Sequence, residues 1–124
     1  MLYMFLLYFD PKAPQPPDIM DRHFAVWREA KAKGAYLTSE AIGGTDNATT
    51  VRVRGGKTMI TDGAFAETKE VLGGFYILDC KDLDEALEYA AKIPDCFNGA
   101  VEVRPVLGVP GWEYELPGER LPFA

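Results

Sequence analysis

Reactive side chains are scarce in this chain. Among its 124 residues there is one histidine, His23, one serine, Ser39, and two cysteines, Cys80 and Cys96. Ser39 sits in no G-x-S-x-G elbow and has no histidine near it in sequence, which argues against a serine hydrolase. One histidine and two separated cysteines do not make a structural zinc site, so no metal is expected. No G-x-G-x-x-G or G-x-x-x-x-G-K-[ST] run is present, and no cofactor is expected. Basic residues are in deficit, 13 against 19 acidic, for a net charge of −6. That balance opposes the phosphate neutralisation on which nucleic-acid binding depends. Long apolar runs are also missing. Met1 to Phe9 is apolar, but it lacks a basic leader, is interrupted by tyrosines and ends at Asp10-Pro11, so it reads as a buried strand with no membrane role. Two unpatterned cysteines in a domain with an ample core suggest free thiols and a cytoplasmic protein.

What is present is enough apolar residue, 48% of the chain, for the core of a single domain. Met1–Phe9 reads as a strand, closed by Asp10-Pro11 and the prolines at 14, 16 and 17. From about Pro17 to Lys33, Met20, Phe24, Trp27 and Ala30 recur at helical spacing, with Gly34 as the stop. Ala35–Ala41 is a short strand. Thr49–Arg54 and Lys57–Thr61 flank Gly55-Gly56 and read as a β-hairpin. Gly74–Asp79 is a strand, and Asp82 caps a second helix whose stripe is Leu83, Ala86, Leu87, Ala90 and Ala91, ended by Pro94. Gly99–Val106 alternates as an amphipathic strand. The order gives an α+β, ferredoxin-like split βαβ fold with an inserted hairpin. Both helices cover one sheet face, and the other keeps apolar residues that a second copy would bury. The domain is expected over 1–107. The tail 108–124, with Trp112, Tyr114, Leu116 and Phe123, is expected to pack on the domain or across a dimer.

The segment Val51-Arg52-Val53-Arg54-Gly55-Gly56-Lys57-Thr58, then Thr61-Asp62-Gly63, Phe65-Ala66-Glu67-Thr68-Lys69-Glu70 and Gly73-Gly74-Phe75-Tyr76, resembles the YCII-related proteins of the DGPF type. Ala64 departs from the Asp-Gly-Pro-Phe motif, which loosens a turn and removes no reactive group. The resemblance implies a dimeric α+β barrel. It also implies a pocket lined by a histidine of the first helix, here His23, and an acidic partner, for which Asp62 matches the motif. Read without the family, His23 is a surface or rim histidine of a helix face sooner than a catalytic one, and Asp62 is equally a turn residue before Gly63.

From these residues a small-molecule pocket is expected. His23 and Asp62 would transfer protons, and Trp27, Phe65, Glu67, Lys69 and Tyr76 would contact the substrate. Lys69 or a nearby arginine is the expected contact for an anionic ligand, with Phe65, Phe75 and Tyr76 to desolvate Lys69. The ligand is a small organic molecule and the partner a second copy of the chain. The same fold carries isomerases, dehydrochlorinases, cofactor-free monooxygenases and ligand sensors, so a non-catalytic sensing or regulatory module is the second expectation. His23 facing Asp62 in a pocket would favour the enzyme, and an apolar groove left open after dimerisation would favour the sensor.

Overall fold

A computed structural model describes residues 1–112 and 118–123, so Tyr114 and Leu116 of the tail lie outside the described residues. Strand β1 (Leu2–Phe9) leads through the proline-rich turn to helix α1 (Ile19–Ala32), and β2 (Tyr36–Ala41) follows. A hairpin of β3 (Thr49–Arg54) and β4 (Lys57–Asp62) interrupts the repeat. The second unit is β5 (Val71–Asp79), α2 (Leu83–Ala90), the short helix α3 (Asp95–Asn98) and β6 (Gly99–Pro105). The main sheet runs β2-β5-β1-β6 with every neighbouring pair antiparallel. That is the split βαβ arrangement: each crossover helix joins two strands that another strand separates.

The period of two in the strands sets which side chains go inward. In β1, Tyr3, Phe5 and Leu7 are buried beneath the helices, whereas Met4, Leu6 and Tyr8 are half-buried on the opposite face. The two-sided burial that the continuous apolar run suggests is complete on that opposite face only at Leu2, which lies against Gly118 of the tail. Phe5, Leu78 and Ile93 are fully buried at the centre, with Val26 and Ala30 from α1 and Ala86, Tyr89 and Ala90 from α2 packed around them.

Both helices bury only part of the apolar stripe that the spacing predicts, Ala30 in α1 and Ala86 and Ala90 in α2. In α1 the core contacts are Val26 and Ala30, while Met20, Phe24 and Trp27 remain 57%, 47% and 37% exposed. In α2 the inward residues are Ala86, Tyr89 and Ala90, and Leu83 and Leu87 stay about half exposed. Three of these five contacts are alanines, and the larger side chains of the stripes stand at the rim. Pro94 ends the α2 region and also occupies the cap position of α3, a helix absent from the sequence reading.

Two glycine features shape the hairpin and the β1–β5 pairing. Gly55 and Gly56 take φ of +55° and +75°, the left-handed pair that a tight hairpin turn requires. The register of β1 against β5 shifts between Leu7 and Tyr8, leaving Gly73 unpaired as a bulge. A Cβ at Gly73 would lie 2.7 Å from the Phe9 ring, and one at Gly74 would lie 2.7 Å from the Glu40 carbonyl oxygen. The described end of the tail returns to the sheet: Leu2 N–H donates to the Glu119 carbonyl at 2.6 Å, and β7 (Leu107–Gly108) pairs in parallel with β8 (Leu121–Pro122).

Candidate functional site

Between α1 and the first half of β5 lies a cavity of about 480 Å³, within the size range of small-molecule sites. Its walls are largely aromatic and aliphatic, with Phe9, Ile19, Phe24, Trp27 and Phe75 among them. The exposed stripe of α1 is thus its wall: Met20, Phe24 and Trp27 line the cavity and are not core residues. Gly73 lines it too, so the bulge brings bare backbone to the cavity surface.

Polar groups converge at one end. His23 projects from α1, Tyr76 from β5, and Asp95 from the first position of α3. The Nδ1 atom of His23 is 2.6 Å from the Tyr76 hydroxyl, and the two rings stack with their planes 19° apart. The Nε2 atom of His23 is 2.9 Å from Asp95 Oδ1, and the Asp95 side chain is only 10% exposed. That oxygen is buried and makes no linear hydrogen bond, so it meets the ring as a charge contact lying off the N–H direction. Burial, reinforced by the negative charge of Asp95, raises the pKa of the Tyr76 hydroxyl well above its ordinary value. Tyr76 therefore holds its proton at neutral pH. Beside this group, Ser39 pairs with Tyr76 in register across β2 and β5, and its hydroxyl is 2.7 Å from that of Tyr36.

The site residues expected from sequence divide into two sets. His23, Trp27 and Tyr76 come together in the cavity. Asp62 does not join them: it is exposed at the end of β4, paired in register with Thr49, and the carboxylate beside His23 within the chain belongs to Asp95. The turn after it is held through Gly63, whose N–H donates to the Ala48 carbonyl and whose carbonyl accepts from Thr50. Phe65 is 73% exposed under the Arg52 guanidinium, and Glu67 is exposed. Lys69 borders a shallow depression with Tyr8, Glu102 and Arg104, apart from the cavity. Among the described residues, no cluster of histidine, cysteine and carboxylate side chains is arranged to hold a metal.

Asp95 is the residue that sequence reading missed. Its signal was an acid directly after Pro94, the pattern of a helix start, hidden because Pro94 also ends the preceding helical pattern.

The profile of the YCII-related domain matches residues 1–110. This chain belongs to the YCII-related family. An uncharacterised protein of Rhizobium meliloti (strain 1021) is 38% identical over 126 residues, an alignment covering 94% of this chain and 99% of that protein. Among solved structures, the 5-chloro-2-hydroxyhydroquinone dehydrochlorinase TftG of Burkholderia phenoliruptrix AC1100, in complex with 2,5-dihydroxybenzoquinone, aligns with a TM-score of 0.44 at 15% identity. That alignment covers 84% of this chain and 91% of TftG. The match to the family profile runs through every residue of the polar cluster, so His23, Tyr76 and Asp95 of this YCII-related protein all lie inside the family domain.

Proposed function

We propose that this protein binds a small organic molecule in the α1–β5 cavity and transfers a proton to or from it without a cofactor, with His23 as the acid-base group and Asp95 as its charge partner. One observation carries the reading: the sole imidazole of the chain lies between a buried carboxylate and a buried phenol at the end of an apolar cavity. A carboxylate at 2.9 Å stabilises the imidazolium that forms when the ring takes a proton, and the apolar walls strengthen that attraction by excluding water. DGPF-type membership, a homodimer and a cytoplasmic setting belong to the same proposal. So does the tail packed on the domain or across the dimer. Within one chain Asp62, Phe65, Glu67 and Lys69 stand away from the cavity, and the proposal gives none of them a ligand contact.

The test is solvent deuterium exchange at C1 of an uncharged bicyclic enol, 2-naphthol, followed by proton NMR. The protein is expected to accelerate exchange, and His23→Gln to remove about a hundredfold or more of that acceleration. Asp95→Asn should reduce it as well, while Asp62→Asn serves as the comparison carboxylate. Exchange no faster than in buffer, or undiminished in His23→Gln, overturns the catalytic reading. Saturable binding without exchange would instead favour the sensing module.

A further inference from the structure

Both ring nitrogens of His23 are already engaged, Nδ1 with the Tyr76 hydroxyl at 2.6 Å and Nε2 with Asp95 at 2.9 Å. A ligand entering the cavity therefore meets the third member of the chain, Tyr76. The charge of Asp95 favours the tautomer that keeps the proton on Nε2, and Nδ1 then accepts from the Tyr76 hydroxyl. With its proton committed to Nδ1, the Tyr76 oxygen offers only lone pairs to the cavity. The resting site thus accepts a hydrogen bond and donates none from this group.

The charge of the cavity points the same way. Its described lining residues include the carboxylate of Asp95 and neither lysine nor arginine. Lys31 lies 4.7 Å over the Trp27 ring and is not among the residues that line the cavity. An anion placed here would face lone pairs and a buried negative charge after losing its own water. The sequence-based expectation of an anionic ligand rested on Lys69, which borders a different surface.

Building on the proposed function, we propose that the cavity takes an uncharged, largely apolar molecule that donates an O–H or N–H to Tyr76 Oη, and refuses a carboxylate of the same shape. Tyr76 is then the group that touches the substrate. When the reaction proceeds, the ligand's O–H or N–H bond breaks as a new Tyr76 O–H bond forms, and the proton Tyr76 held passes to His23 Nδ1. The ligand becomes an anion facing a tyrosine that now donates, while the imidazolium stays beside Asp95. No electrons are gained or lost.

Three naphthalenes of one shape test this on the intact protein by calorimetric titration at neutral pH. They are 2-naphthol, an uncharged donor; 2-methoxynaphthalene, which lacks the donor; and 2-naphthoate, an anion. The naphthol is expected to bind roughly threefold to tenfold more tightly than the methoxy compound, the range of one hydrogen bond, with naphthoate the weakest. In Tyr76→Phe the first two should bind alike while ring binding persists. If the methoxy compound matches the naphthol, or naphthoate matches or exceeds it, the inference fails and the cavity remains a binding site. If none of the three binds, the reading of the cavity as a ligand site fails with it. Should Tyr76→Phe not fold, the order on the unaltered protein decides alone.

Discussion

Cys80 and Cys96 show how far burial separates two identical side chains. Cys80 lies in the core, where burial first, then the charges of Glu85 and Asp79, push its thiol up to about 12. Cys96 is exposed on α3 and free. Because the thiolate is the reactive form, a thiol reagent at neutral pH is expected to titrate one cysteine in the folded protein and both in denaturant. Rapid reaction of both in the native state would show that Cys80 is not sealed in the core. Phe5 belongs to the same scale. It is fully buried beside Leu78 and Ile93, and Phe5→Ala should cost about 3–5 kcal/mol in denaturant unfolding through the cavity it leaves.

At the scale of elements, the start of α2 is the part most readable from sequence. The Asp82 carboxylate accepts the Glu85 N–H at 2.9 Å, and the Glu85 carboxylate accepts the Lys81 N–H at 3.2 Å. Removing the cap in Asp82→Ala should lower stability by about 1 kcal/mol, measured by chemical unfolding. Spacing located this cap because both partners are local. The inward face of the same helix was only partly local information: Ala86 and Ala90 of the predicted stripe are buried, but Tyr89 joins them and Leu83 and Leu87 are left at the rim. The β2–β5 pair makes a sharper demand. A methyl at Gly74 would meet the backbone of Glu40 and Ala41, and backbone cannot rotate away as a side chain does. Gly74→Ala is expected to cost roughly 1–3 kcal/mol and to loosen the cavity wall that β2 supplies. Unchanged unfolding in that variant would show that β2 can shift without penalty.

The whole molecule is tied across its helices by Glu29. Its carboxylate takes Lys92 at 2.8 Å from beyond α2 and Lys33 at 3.1 Å along α1. Hydrogen bonds from Lys92 and then Lys33 lower its pKa from the ordinary glutamate value. A carboxylate held low contributes stability that is fully present above its unfolded-state pKa and is lost as pH falls through the lower folded-state value. Glu29→Gln should therefore flatten the acid side of the stability profile and cost less than about 1 kcal/mol at neutral pH, because both lysines are well solvated. An acid profile identical to that of the unaltered protein would mean that the clasp contributes nothing.

Assembly is also a property of the whole molecule. The hairpin turns Val51, Val53 and Ile60 to one side, each 58–70% exposed, and among the described residues no helix lies over the sheet face carrying Met4, Leu6 and Ile77. A two-stranded ribbon is marginal alone in water, and its apolar side requires cover. The proposed homodimer supplies it. Light scattering at micromolar concentration should give about twice the 13.7 kDa chain mass, and Ile60→Asp should shift the population toward monomer. A stable monomer in the unaltered protein would remove the dimer from the proposal.

The sequence by itself determined the elements whose causes are near in the chain: the hairpin at Gly55-Gly56, the cap at Asp82, the stop of α1 at Gly34, and from their order the split βαβ topology. It also brought forward His23, Trp27 and Tyr76, because a lone imidazole and clustered aromatics stand out in composition and spacing. Only the tertiary structure decided which carboxylate meets the imidazole. Asp62 has the nearer motif, yet it leaves with an exposed hairpin, while Asp95 is carried to His23 by a one-turn helix packed against β1 and β6. The division between core and cavity was settled the same way. Helical spacing marks Phe24 and Trp27 as apolar, but whether an apolar face meets a sheet or an opening depends on how closely small residues elsewhere let the helix approach.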